Sequence, residues 1–136
     1  MPVEDDKRLR EILASSKTVA VVGASDKPYR DSNRIADFLI RRGYEVFPVN
    51  PAYTTTNGKK CYPDLASVPV PIDIVDVFRR ADAVADVVDQ AIAARAKVLW
   101  LQLDVVDATS AARAEAAGMT VVMDHCISID HVRLVR

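Results

Sequence analysis

The sequence predicts an α/β fold: a Rossmann-like, doubly wound, mainly parallel five-stranded sheet with helices on both faces. Three observations carry this expectation. The run Thr18 to Val22 is compact, β-branched and stopped by Gly23, which is how a strand covered on both faces reads. Short apolar runs then alternate with stretches of helical periodicity, the pattern of parallel βαβ units. Three of the four glycines, Gly23, Gly43 and Gly118, fall at element ends.

The elements follow in order. Residues 4–16 read as a surface helix, with Leu9, Ile12 and Leu13 at helical spacing and acids leading. That helix, within residues 1–17, is expected to pack on the sheet. After the first strand and a polar loop, Ile35, Ala36, Phe38 and Leu39 share one helical face. Arg41 and Arg42 suit the negative end of that helix, and Gly43 its termination. Glu45 to Val49 is the second strand, closed by Asn50-Pro51. Residues 52–71 are loop-rich, with a short element around Cys61 to Leu65. Asp73 to Phe78 is the third strand, and Ala81 to Ala94 a helix with Val84, Val87, Val88 and Ala91 facing inward. Lys97 to Leu101 is the fourth strand, Ala108 to Ala117 an alanine-rich helix, and Thr120 to Met123 the fifth strand. The tail from Ser128 reads as a short helix or an extended cover. Right-handed crossovers favour a strand order near 3-2-1-4-5. No linker or repeat interrupts the pattern, so residues 1–136 read as one domain.

Bulk properties narrow the function. The chain has 136 residues, half of them hydrophobic, and a net charge of −1. No global field draws it to nucleic acid or to an anionic membrane. No apolar run approaches the roughly 20 residues of a membrane span, and the charged N-terminal segment is unlike a signal peptide. Cys61 and Cys126 make no CxxC and suit reduced thiols. A cytoplasmic protein, monomeric or homodimeric, with a small-molecule ligand and neither a nucleic-acid nor a membrane partner, is the expectation.

In an open α/β sheet, ligands bind beyond the carboxyl ends of the strands, where the strand order reverses. The expected order places that point between the first and fourth strands. The loop after the first strand, "GASDKPYRDSN", has the chemistry of an anion site. Gly23 permits close backbone approach. Ala24 is small, and the Ser25 hydroxyl can donate. Asp31 or Ser32 is expected to cap the next helix, whose N-terminal N–H groups favour phosphate. Arg30 and Arg34 would add charge. An ordinary solvated loop with a helix cap is the competing reading.

The second loop bears on the ligand. A classical NAD site has an Asp or Glu at the end of the second strand to hold the ribose hydroxyls. Here the strand ends in Asn50 and Pro51. An amide does not repel an anion, so a ribose carrying its own phosphate fits, as in coenzyme A (CoA) or NADP. Asn-Pro is also simply a good turn. Phe78 and Arg79 follow the third strand and Gln102 the fourth. Phe78 also suits the core. Of the adjacent Arg79 and Arg80, one is expected to face the cleft and the other water.

Taken together these residues resemble the small CoA-binding proteins of bacteria and archaea, a family similar to the CoA-binding domain of the succinyl-CoA synthetase alpha subunit. The resemblance runs from Thr18 to Leu134. It rests on "VVGAS" with "KPYRDSNRIADFL", and on "GYEVFPVNP", "GKKCYPDL", "DIVDVFRR", "WLQLDVV" and "AAGMTVVMDHC" in that order. It implies a site for CoA or an acyl-CoA at Gly23, Ala24, Ser25, Arg30, Ser32, Asn50, Pro51, Phe78, Arg79 and Gln102. Four positions depart from the family pattern: Ala52 replaces a lysine, Asp104 a glycine, Tyr29 a small residue and His125 an arginine.

Asp124-His125-Cys126 raises the question of thiol catalysis. The segment follows the fifth strand, at the expected sheet edge away from the cleft, so Cys126 reads as a small buried hydrophobe. His125 and His131 lack the spacing of a helical metal pair. The synthetase alpha subunit carries a second domain with a phosphorylated histidine, and this chain has no counterpart. A binding, carrier or sensor module without catalytic activity is therefore expected. An NADP-type binding protein and an interaction domain with a decayed site are the alternatives.

Overall fold

In the computed structural model, which describes residues 1–135, helices and strands alternate as the periodicity predicts. The helices are α1 (Asp6–Ser15), α2 (Asp31–Arg41), α3 (Val84–Ala93), α4 (Ala108–Ala116) and α5 (Ile127–Leu134). The strands are β1 (Thr18–Val22), β2 (Glu45–Val49), β3 (Thr55–Thr56), β4 (Lys59–Lys60), β5 (Ile74–Val77), β6 (Val98–Leu101) and β7 (Thr120–Met123). Single 3-10 turns cover Leu65–Ser67 and Ala81–Ala83. The tail is thus a helix. The loop-rich segment holds the small antiparallel hairpin β3–β4, turned by Asn57 and Gly58, both at positive φ as a tight two-residue turn requires.

The main sheet is parallel, with order β2-β1-β5-β6-β7. Counting only these five strands, the order is 2-1-3-4-5. This corrects the expected 3-2-1-4-5, which would have made the second strand an inner one. Pro48 is the physical reason. A proline cannot donate to a ladder and so belongs on an edge strand. Pro48 pairs in register with Val21, and its carbonyl points outward to accept from the Tyr62 N–H at 2.9 Å. The third strand, β5, is held on the other side of β1. The Asp73 carboxylate accepts from the N–H groups of Lys17 and Thr18 at 2.8 and 3.2 Å, and the Thr18 hydroxyl donates to the Pro71 carbonyl at 2.9 Å.

Alternation along each strand feeds two apolar layers. Val19, Val21, Ile74 and Trp100 pack under α1, α2 and α5, and the N-terminal helix contributes Leu9, Ile12 and Leu13 to that layer. Ala20, Val75, Leu99 and Val121 pack under α3 and α4 on the opposite face. Asp76 lies in the first layer by alternation, in register with Val21 and Trp100, and is fully buried. No helix among the described residues is long and apolar enough to cross a membrane.

Candidate functional site

The strand order reverses between β1 and β5, not between β1 and β6, because β2 and β5 flank β1. A cleft of about 550 Å³ opens there, beyond the carboxyl ends of β1, β2 and β5. It gathers Gly23, Ala24, Ser25, Arg30, Ser32, Asn50 and Phe78 from three separate loops. Sequence reasoning missed two further wall residues, Lys27 and Tyr53. Lys27 was legible as a cation inside the polar loop. Tyr53 had no signal beyond following the Asn-Pro turn.

The backbone at Gly23 is set by the sheet. Gly23 has φ +90°, and its N–H donates to the Val49 carbonyl at 3.0 Å. A Cβ there would lie 2.2 Å from the Phe78 carbonyl oxygen. The close approach that demands glycine is therefore made by the chain itself, at the end of β5.

Two amides then hold the loop. The Asn50 side chain donates to the Ala24 carbonyl at 2.8 Å, and that of buried Asn33 donates to the Ser25 carbonyl at 2.8 Å. Asn50 also accepts from the Ala52 N–H at 2.9 Å. Asn33 belongs to the site as a support and was missed, because a single asparagine inside a helix pattern carries no distinctive spacing. The Ser25 hydroxyl accepts from the Lys27 N–H at 3.1 Å.

The start of α2 differs from expectation. Neither Asp31 nor Ser32 is the cap. Arg30 occupies that position in extended backbone, without a side-chain cap, and Asp31 and Ser32 are the first helical residues. Their N–H groups have no backbone acceptor among the described residues. The positive end of the helix dipole thus faces the cleft uncapped, with Lys27 and Arg30 in the wall. Arg34 is engaged locally, by an ion pair with Asp31 and a hydrogen bond to the Tyr29 carbonyl. Arg30 sits over the Tyr29 ring, 5.7 Å from its centroid.

The remaining expected residues lie around this cleft. Pro51 and Arg79 line a smaller groove of about 180 Å³ beside α3, and Arg80 pairs with Asp82 at 3.5 Å. Gln102 lines an adjoining cleft of about 480 Å³ and accepts, through its side-chain oxygen, from the Ile127 N–H at 3.1 Å. Asp104 has φ +68°, a left-handed conformation that fits the glycine the resemblance implies there; Asp is among the few other residues that tolerate it. Its N–H donates to the Asp124 carboxylate at 2.7 Å.

Cys126 also needs correction. It is half-buried and lines the adjoining cleft, because α5 folds back against α2 over the layer-one face. Its sulfur lies 3.2 Å from the Ser128 hydroxyl. His125 does not face it. The Nδ1 atom of His125 lies 2.7 Å from the Asp130 carboxylate, and its carbonyl accepts from the Trp100 indole at 2.9 Å. Asp76 is the group nearby that stands out: both its oxygens are buried without a partner among the described residues. Burial pushes its carboxyl well above the usual carboxylate range, and the neighbouring Cys126 adds to that.

Comparison with known proteins identifies the family of the chain. The model of the CoA-binding domain family matches residues 17–132. The uncharacterized protein YneT of Bacillus subtilis (strain 168) is 38% identical over 123 residues, covering 90% of this chain and 91% of YneT. A hypothetical protein from Pyrococcus horikoshii OT3 superposes with a TM-score of 0.96 at 38% identity, covering 100% of this chain and 97% of that one. The dinucleotide-forming acetyl-coenzyme A synthetase 1 of Ca. Korarchaeum cryptofilum superposes with a TM-score of 0.72 at 28% identity, covering 82% of this chain but 26% of the synthetase. With its five-stranded sheet, its uncapped helix start and its glycine at the first strand end all inside the matched span, the chain belongs to the CoA-binding domain family.

Proposed function

We propose that this chain binds CoA or an acyl-CoA in the cleft after β1, as a cytoplasmic binding, carrier or sensor module without catalytic activity of its own. The observation that carries the reading is the uncapped start of α2 beside Lys27 and Arg30, at the reversal of the sheet. Free N–H groups and a positive dipole end suit a pyrophosphate. Asn50, an amide where NAD sites carry a carboxylate, suits a phosphorylated ribose. The likeness to one part of an acetyl-CoA synthetase supports a binding role. Cys126 and His125 are turned to different partners, which argues against a thiol–imidazole pair.

Titration calorimetry with CoA, acetyl-CoA, NAD and NADP tests this reading. CoA is expected to bind and NAD to bind weakly or not at all. Tight NADP binding without CoA would replace the reading. Ser25→Asp puts a carboxylate where the pyrophosphate is expected and should lower CoA affinity at least a hundredfold. Unchanged affinity would place the ligand elsewhere.

A further inference from the structure

The two clefts adjoin: Asp31 and Phe78 stand in the walls of both. Their chemistry differs. The first is polar and cationic, whereas the second is walled by Ile35, Phe38, Phe78, Val105, Leu103 and Ile129. Leu103 and Ile129 leave 51% and 57% of their surface open, so large apolar side chains stand exposed on both sides of this groove. At about 480 Å³ it has the size of a small-molecule site, roughly 300–1,000 Å³.

Charge and hydrogen bonding narrow what it takes. Among the described residues, its one cation is Arg34, already paired with Asp31 and the Tyr29 carbonyl. A carboxylate brought into this groove would meet mostly apolar carbon and one acid, Asp31, whose ion pair with Arg34 leaves no free cation. Two neutral polar side chains, Gln102 and Ser128, line it, and the Ser128 hydroxyl is paired with the Cys126 sulfur at 3.2 Å. Gln102 is buried and fixed through its oxygen by Ile127, and its amide nitrogen donates to no protein group among the described residues.

Resting on the CoA reading above, we infer that the second cleft selects the acyl group: a neutral, apolar chain of short to medium length. The pantetheine arm passes Phe78, the Gln102 amide donates to the thioester carbonyl, and the chain lies between Leu103 and Ile129. A dicarboxylic acyl group is rejected.

Calorimetry with CoA, butyryl-CoA, hexanoyl-CoA and succinyl-CoA tests this. Affinity is expected to rise about threefold to fourfold for each methylene between butyryl and hexanoyl, and succinyl-CoA to bind no tighter than CoA. Ile129→Asp, at an exposed position, should bring the ratio of hexanoyl-CoA to CoA affinity close to one. That ratio is measured within one variant and is insensitive to how much of it is folded. Equal affinities for CoA and hexanoyl-CoA in the natural protein would overturn the acyl selectivity and leave CoA binding standing. Preferential binding of succinyl-CoA would overturn it too. Failure of every CoA compound to bind would remove both readings.

Discussion

Asp76 is the residue whose chemistry least fits its surroundings. It stands mid-strand in β5, between Val21 and Trp100, fully buried and with both oxygens unpartnered among the described residues. Desolvation disfavours its charged form, so its folded pKa is raised above the unfolded value of about 3.9. The native state therefore holds a proton that the unfolded chain has lost. The favourable contribution of the neutral acid is complete below about pH 4 and is lost as pH rises towards the folded pKa. Asp76→Asn keeps the shape and removes the titration. Relative to the natural protein, this variant should gain stability as pH rises above about 4, by up to about 1.4 kcal/mol per pH unit. Urea unfolding of both proteins from pH 4 to 8 checks this; parallel stability profiles would mean that Asp76 is ionised in the folded state.

At the scale of the elements, the strands and helices were legible because apolar residues recur with unambiguous periods. The run "TVAVV" and the stripe of Val84, Val87, Val88 and Ala91 admit few alternatives. The neighbour relations were harder, since a parallel crossover reads the same in sequence whichever side of β1 it lands on. Pro48 did carry the answer, as an inner strand cannot hold it. Gly23 shows the same limit. Its place after β1 was legible, but its partner, the Phe78 carbonyl at the end of β5, depends on which strand is adjacent. The contact joins the two strand ends that form the floor of the cleft. A methyl group at Gly23 would clash with backbone and sit at φ +90°. Gly23→Ala is thus expected to destabilise the fold by about 2–4 kcal/mol, read as a lower urea midpoint. An unchanged midpoint would show that the β1–β5 junction yields easily.

For the whole molecule, the legible part of the site was the part local in sequence. The loop from Gly23 to Ser32 marked itself as a candidate anion site through its residue types and its position after a buried strand. What the sequence did not display was assembly: Asn33 and Asn50 gripping neighbouring carbonyls, Tyr53 closing a wall, and α5 bringing Cys126 beside Phe78. Asn33 reaches only eight residues back, to Ser25, but the others come from elements distant in the chain and meet only when the sheet is assembled. The first cleft draws on the loops after β1, β2 and β5, which the unfolded chain scatters. A ligand seated there binds the folded state and not the unfolded one, so it should stabilise the entire fold. At a hundred times its dissociation constant, a ligand adds about 2.7 kcal/mol, which for a chain of 136 residues raises Tm on the order of 9 °C. CoA should produce such a shift in a calorimetric scan, growing with the logarithm of its concentration. NAD at equal concentration should produce a much smaller one, because β2 ends in Asn50 rather than a carboxylate. A larger shift with NAD than with CoA would mean that the ribose is held by groups other than those at the end of β2, and the assignment of the cleft would change with it.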